Sequence, residues 1–492
     1  MFHHKQGTAR PGVRIDRPRI ALKIFLWALL MRLLCTWIIF QVNPQWHTGL
    51  NADSRNYDRL AVNLWHYGIY SSQAAPPFTP AIARVPGYPA FLALVYRLLG
   101  HKPVLVVFWQ QLLDATICTA VYQLGVNLTE SRRIATIAAL LMVLDLTGLL
   151  NAMDLMSETI FTLLLLLNMT ALWEFRRQRR HRYLILAASW LGCAALVRPE
   201  AAGFGLVEAV LLLAWLGRPW RRTLLTAGAF LTILSLILMP WLARNWYQFH
   251  LLTLSPLVDR LLLYDSVVIL EANRTGHTLE EVERGYNRNV QQYIQQSGMR
   301  ERNPAAGFLA MKHLALPVLR RAWLESPWTQ LRLHVSAGLA VWLPHLTLLA
   351  EQLGYPAMPV HLRMNTWLQQ GWQGWWGLGL NYLSFMPWPV VVLCLLWLFL
   401  LLFIYAAALR GYLLLVQSRQ LATLTFLIMP ILFFAFATQM FLLAKTPRHR
   451  APVMPYLALA AAIGLRSRPK VSTEDGNEHL NGCPAPRSSA TT

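Results

Sequence analysis

Two short polar stretches hold the residues best suited to chemistry. The first reads Asn51-Ala-Asp53-Ser-Arg-Asn-Tyr57-Asp58-Arg-Leu-Ala61 and is followed by Ala83-Arg84-Val-Pro86-Gly87-Tyr88-Pro89. The second reads Asp154-Leu-Met-Ser157-Glu158-Thr-Ile-Phe161. Both border long apolar runs, where a carboxylate is costly unless it is paired or faces water. A carboxylate held there can serve as a general base or a metal ligand. Asp53 has a structural alternative, since an aspartate before a helix caps its first turn. Asp154 and Glu158 are four apart and can share one helical face. Their structural alternative is an acid at a helix start, favoured by the dipole. Asp58 lies on a different face from Asp53 and is expected in solvent.

Cations recur beside these acids. Arg84 is in the first loop and Arg198 stands in Leu196-Val-Arg198-Pro-Glu200. Arg244 ends the run Pro240-Trp-Leu-Ala-Arg244-Asn245, and Lys445, Arg448 and Arg450 lie in Ala444-Lys-Thr-Pro447-Arg448-His449-Arg450. Each alone could snorkel to lipid phosphates. Together they come from four distant points and share one membrane face, against the tendency of basic residues to stay inside. A polyprenyl-phosphate headgroup needs such a set, because arginine forks bind phosphate oxygens and stabilise charge on a leaving group. Tyr57, Tyr88 and Asp154 are further candidates on that face. The run Trp367, Trp372, Trp375 and Trp376 reads as an interfacial belt, with stacking on a sugar as the alternative.

The elements that must position these residues are membrane helices. The chain has 492 residues, 55% of them hydrophobic and 14% charged, with 20 tryptophans. That balance excludes disorder and disfavours an ordinary soluble domain. Apolar runs of about 20 residues recur, the length needed to span the hydrocarbon core. The first, from Ile20 to Phe40, lacks a small-residue cleavage site after it and reads as a retained span. The formal charge of +21 falls in short clusters between spans, which fits the positive-inside rule and not a nucleic-acid-binding domain. Five scattered cysteines show no metal-ligand spacing. No phosphate-cradling loop or dinucleotide fingerprint is present.

Hydropathy and charge predict about ten spans (10–13), with both termini inside. The expected organisation is a cytoplasmic tail over 1–19, then a membrane core over 20–243 that contains a first external loop at 42–102. An external segment covers 244–384, closing spans cover 385–465, and a disordered cytoplasmic tail covers 466–492. Within the first core, 134–152 reads as one span. In the first loop, Tyr57, Leu60, Ala61, Leu64 and Gly68 recur at helical spacing and predict an interfacial helix. A second short interfacial segment is expected over 89–99. The apolar piece 335–350, broken by Pro344 and His345, is expected as a membrane-surface helix.

At this point the pattern resembles a known family. Asp53 with Tyr57 and Ala61, then Arg84-Val-Pro86-Gly-Tyr-Pro89-Ala-Phe91, is similar to the first external loop of bacterial GT-C glycosyltransferases. These are the membrane relatives of dolichyl-phosphate-mannose protein mannosyltransferases and of aminoarabinose-to-lipid A transferases. Ser157-Glu158-Thr-Ile-Phe161, Leu196-Val-Arg198-Pro, Pro240-Trp-Leu-Ala-Arg244-Asn245 and Pro447-Arg448-His-Arg450-Ala-Pro452 resemble later blocks in the same order. The resemblance implies an all-α, multi-pass GT-C fold. It implies inverting transfer of a sugar from a polyprenyl phosphate to a lipid, glycan or protein acceptor, at the periplasmic face of a bacterial inner membrane. Carried over, Asp53 is the general base and Glu158 the second acidic position. Arg84 stands near the basic residue that contacts the donor phosphate in the family, and Arg84, Arg198, Arg244, Arg448 and Arg450 are the expected phosphate ligands. Some relatives bind a divalent metal through an acid that is Ala83 here, and others have a second acid where this chain has Ser54, so the metal is left open. No nucleotide or nucleic acid is implied. Two other classes compete: a transporter or flippase of lipid-linked sugars, for which internal repeats are expected and none is seen, and a non-catalytic membrane partner.

Overall fold

The computed structural model describes residues 16–44, 52–298, 303–355, 384–439 and 447–466. Among them there is no strand. In hydrocarbon the backbone must satisfy itself, which a helix does within one segment. Among the described residues six helical stretches are long and apolar enough to cross a bilayer, namely Pro18–Val42, Pro103–Thr129, Glu158–Gln178, Trp220–Phe249, Trp388–Gln417 and Pro327–Gln352, the last broken within its length. The chain is an all-α integral membrane protein. Shorter apolar helices, Gly87–Leu99, His181–Val197 and Leu421–Ala435, accompany these six. The termini 1–15 and 467–492, Lys445, and the Trp367, Trp372, Trp375 and Trp376 belt lie outside the described residues.

The order in the first half is α1 (Asp16–Val42), α2 (Ala52–Tyr67), α3 (Gly87–Leu99), α4 (Pro103–Thr129), α5 (Arg132–Val143) and α6 (Leu146–Asn151). It continues with α7 (Glu158–Gln178), α8 (His181–Val197), α9 (Glu200–Leu216) and α10 (Trp220–Phe249). The span expected over 134–152 is two helices. The break falls at Leu144-Asp145, because the Asp145 carboxylate accepts from the amides of Thr147 and Gly148, 3.1 Å each, and starts a new helix there.

Inside the membrane core a charge is handled as the low dielectric demands. Arg32, in the middle of α1, is fully buried. Its Nε donates to Asp114 of α4 at 2.6 Å, and its two terminal nitrogens donate to the carbonyls of Val143 and Met142 at 2.9 and 3.0 Å. The pair and its carbonyls tie α1 and α4 to the end of α5. Removing one partner of such a pair strands the other.

The loop after α1 is two helices packed together. Tyr57 of α2 meets Tyr88 of α3 edge to face, with centroids 4.8 Å apart. Asp58 departs from its expected place in solvent, since it accepts from the Tyr96 hydroxyl at 2.6 Å and lies 2.8 Å from His101 Nε2. The start of α3 presses on the end of α8. A Cβ on Gly87 would lie 2.6 Å from the Leu196 carbonyl oxygen. Glycine there brings the Arg84 loop against the turn that carries Arg198.

The second half opens with α11 (Leu257–Leu262), a π turn (Leu263–Val267), α12 (Val268–Thr275), α13 (Leu279–Gln296), α14 (Pro304–Glu325), α15 (Pro327–Leu339) and α16 (Leu346–Gln352). The stretch expected as one helix over 335–350 is interrupted as Pro344 and His345 suggest, by a 3-10 turn Ala340–Trp342 and an extended Leu343. The closing pieces are Trp388–Gln417, Leu421–Gln439, a 3-10 turn Pro447–Val453 and Met454–Gly464. Trp388–Gln417 packs on Met454–Gly464 through small residues. A Cβ on Gly411 would lie 1.9 Å from the Ala460 carbonyl oxygen, and one on Gly464 would lie 1.9 Å from that of Ala407. Close backbone approach of this kind substitutes for the hydrophobic drive that lipid does not supply.

That contact yields a stability prediction. Gly411→Ala forces the two helices apart, an overpacking that costs about 1–3 kcal/mol, and lowers the thermal unfolding midpoint in detergent by several degrees. Gly228→Ala serves as control, because nothing lies within 4 Å of the added Cβ, and it leaves the midpoint unchanged or slightly raised. Equal midpoints for the two variants would rule out the close approach.

Candidate active site

Asp53 lies in the first turn of α2, not ahead of it, so its carboxylate is not a helix cap. Both of its oxygens are taken by guanidinium groups. Arg84 Nη2 donates to Oδ1, and Arg448 Nη2 donates to Oδ2 at 3.0 Å. Arg84 also donates to the Tyr57 hydroxyl at 3.3 Å and lies over the Tyr57 ring, 4.9 Å from its centroid. Residues 395 positions apart in the chain thus meet on one carboxylate.

The network continues through Glu158, the first residue of α7, which is 1% exposed. Its Oε1 accepts from Arg198 Nη1 at 2.8 Å and lies 3.7 Å from Arg448 Nε. Arg198 donates in addition to Glu200 at 2.6 Å, and its Nη2 approaches His449 Nδ1 at 3.2 Å. The sequence of charges is therefore Arg84, Asp53, Arg448, Glu158, Arg198, Glu200. Three carboxylates balance three guanidinium groups. Arg448 bridges the two acids, and the Oε2 of Glu158 is buried without a hydrogen-bond partner.

Electrostatics follow from this packing. Burial pushes the Asp53 carboxyl up, but the Arg84 and Arg448 guanidinium groups beside it pull harder, so it is held below its ordinary value. Asp53 is an anion at neutral pH, clamped by two cations.

The other sequence candidates are placed less uniformly. Tyr88 is buried and donates to Gln110 Oε1 at 2.6 Å; Gln110 in turn donates to the Asp154 carbonyl at 2.6 Å. These contacts give Tyr88 and the Asp154 backbone a scaffolding role behind the charges. The Asp154 carboxylate lies 3.5 Å from Gln352 of α16. Arg244 is not brought to the carboxylates. It donates to the carbonyl of Ala81 and to Asn245 Oδ1, 2.8 Å each, and packs between Tyr70, Trp241 and Phe249. Arg450 is fully buried and donates to the carbonyls of Val341 and Leu343 at 3.0 and 2.8 Å, and to the Thr147 hydroxyl at 2.7 Å. It holds the turn at Val341 and Leu343 and makes no hydrogen bond to the acids. The expectation that both join one phosphate cluster is corrected on these contacts. Glu200 and His449 were not singled out from the sequence, though each neighbours an arginine that was.

The donor set does not fit a divalent metal. Both oxygens of Asp53 face cations, and among the described residues no three His, Cys, Asp or Glu side chains form a metal-holding group.

Two comparisons with known proteins find a likeness. Residues 80–243 match the family model described as dolichyl-phosphate-mannose-protein mannosyltransferase. That segment is similar to this family, which is of the GT-C glycosyltransferase type. It includes Arg84, Glu158 and Arg198, and it ends one residue before Arg244. No curated protein matches the chain. Among solved structures, the chain is similar to the archaeal oligosaccharyltransferase AglB from Archaeoglobus fulgidus, solved with an inhibitory peptide and a dolichol-phosphate. The match has 14% identity and a TM-score of 0.49 over 92% of this chain, which spans half the length of that structure.

A pH prediction follows. A carboxyl whose folded value is depressed stabilises the fold fully above its unfolded value, and that contribution is lost as pH falls through the folded one. Asp53→Asn should therefore be less stable than the parent at neutral pH, with the gap closing only below about pH 3.9, the ordinary aspartate value. Melting midpoints of the two proteins across pH provide the check, and a gap that widens in acid would contradict the clamp.

Proposed function

We propose that the chain transfers a sugar from a polyprenyl-phosphate donor to an acceptor on the external side of the membrane. The observation that carries this reading is the Arg84–Asp53–Arg448 clamp. Two guanidinium forks, one from the first loop and one from the approach to the last helix, face a single carboxylate where a phosphate also fits. The mannosyltransferase-type segment over 80–243 supports the same chemistry.

In this reading the donor phosphate exchanges for Asp53 on Arg84 and Arg448. The exchange seats the donor and frees the Asp53 carboxylate as the general base. The acceptor hydroxyl or amine attacks the anomeric carbon from the face opposite the phosphate. The carbon–oxygen bond to the phosphate breaks, and its electron pair leaves on the phosphate oxygen. The acceptor proton passes to Asp53, and the configuration inverts. The leaving phosphate gains charge as it departs, which the arginines stabilise most in the transition state. Arg198 holds Glu158, and Glu158 holds Arg448, so these two act by positioning the phosphate ligand. The basic turns Arg132-Arg133, Arg176-Arg177 and Arg221-Arg222 support a cytoplasmic assignment for the opposite ends of these helices, by the positive-inside rule. The reading places the protein in a bacterial inner membrane, with its reaction on the periplasmic side.

Binding and turnover separate the roles. Undecaprenyl phosphate titrated into the protein in nanodiscs should bind at least tenfold more weakly to Arg448→Ala. Asp53→Asn should bind it as well as the parent or better, since the competing carboxylate is gone. In cells, the same Asp53→Asn variant should fail to restore the glycan or glycolipid that mass spectrometry finds missing from a deletion strain. Restoration by Asp53→Asn would overturn the assignment of Asp53 as base.

A further inference from the structure

The segment that follows α10 folds back onto the loop that holds Arg84. Ser255 donates its hydroxyl to the Ala83 carbonyl, next to Arg84 in the chain. Ile82, from the same loop, packs with Phe249, Leu251, Ala305 and Phe308. Two residues beyond Ser255 the helix α11 begins, and it passes directly into the π turn Leu263–Val267. A π turn fits an extra residue into the helical frame and changes the direction of the side chains it carries, and such turns recur at functional sites. Here Leu263, Ser266 and Val267 are buried, while Asp265 is half-buried.

Asp265 lies within electrostatic reach of Asp53. The other charged groups acting on it are Arg260, one turn earlier, and Glu283 of α13. No hydrogen bond or ion pair among the described residues occupies its carboxylate, in contrast to Asp53, Glu158 and Glu200, which are all bound to arginine. The proposed reaction does not use it. Resting on that reaction, we propose that Asp265 is the acceptor-side carboxylate of the site, which holds the acceptor by accepting a hydrogen bond from a hydroxyl or ammonium group next to the attacking one, whose own proton goes to Asp53.

The placement is chemically coherent. The phosphate needs the arginine side of Asp53, and the acceptor must approach from the face opposite the phosphate. A carboxylate within electrostatic reach of Asp53 binds a hydroxyl or an ammonium and repels an anionic group, so it sorts acceptor from donor. Burial pushes the Asp265 carboxyl up, Arg260 opposes this, and the Asp53 and Glu283 charges add to it, so that it titrates at about 6. Its hydrogen-bond-accepting form is then the majority at neutral pH and is lost on acidification through that value.

The test uses membranes of a deletion strain that express the full chain and carry their native donor and acceptors. The readout is labelled sugar entering the product the deletion strain lacks, between about pH 5 and pH 8. The parent should show an acidic limb near pH 6. Asp265→Asn should lower transfer more than about tenfold at neutral pH and lose that limb, with Asp265→Glu restoring part of both. Undecaprenyl phosphate binding, measured in parallel, gives a second reading. The ratio of parent to Asp265→Asn affinity should fall as pH rises through about 6, because the ionised carboxylate repels phosphate. An Asp265→Asn variant that keeps the parent's rate and limb, or that binds phosphate in constant ratio to the parent across pH, overturns the proposal. A parent that transfers no sugar while the binding ratio still changes would defeat the glycosyltransferase reading and leave Asp265 in the phosphate pocket.

Discussion

The fold around the site depends on one constraint: a charge at the edge of hydrocarbon must have a partner. Asp53 meets it with Arg84 and Arg448, and Glu158 meets it with Arg198 and Arg448. Each of these side chains comes from a different helix end or loop. Satisfying them together fixes the first loop, the start of α7, the α8–α9 turn and the entry to Met454–Gly464 relative to one another. Arg32 and Asp114 show the same rule deeper in the bundle, with no chemistry attached. The candidate-site network is thus an ordinary solution to membrane electrostatics, with the difference that the pairs on Asp53 lie part-exposed, where a ligand can compete for them. The side chains of Asp53 and Arg448 are 31% and 27% exposed, and that of Arg32 is 0%.

Much of this was legible in the sequence. Asp53, Arg84, Glu158, Arg198 and Arg448 are charges beside apolar runs, and the cost of burying them alone makes mutual pairing the expected answer. The helices α4 and α7 to α10 also follow from runs long enough to span. What failed shares one cause. Membrane-face membership was read as membership of a pocket, and for Arg244 and Arg450 the two differ. Free backbone carbonyls at helix ends and turns are acceptors too. Ala81 captures Arg244, and Val341 and Leu343 capture Arg450. A sequence shows where an arginine sits along the membrane normal but not which carbonyl has lost its own helical partner.

The same limit explains the breaks. The 134–152 stretch carries a single charge, Asp145, among residues that are mostly apolar on both sides of it, so hydropathy joins it into one span. The side chain of Asp145 offers the backbone an alternative to continued helix, and it wins because the next turn's amides need an acceptor. Asp265 was invisible for a related reason. It belongs to a polar segment without motif or period, and it comes within electrostatic reach of Asp53 only as the chain returns onto Ala83.

A clamped base has a consequence for the order of events in the proposed reaction. While Arg84 and Arg448 hold Asp53, both of its oxygens accept hydrogen bonds and its basicity is depressed. An acceptor that arrives first meets a weak base and no electrophile. A donor phosphate that arrives first takes over the guanidinium groups, because its oxygens offer them the same fork geometry, and the carboxylate loses the charges that depressed it. The base then becomes effective only when the electrophile is in place. Activation is coupled to donor binding through the exchange of one anion for another on the same two arginines, and this limits the proton-accepting state to complexes in which transfer can follow.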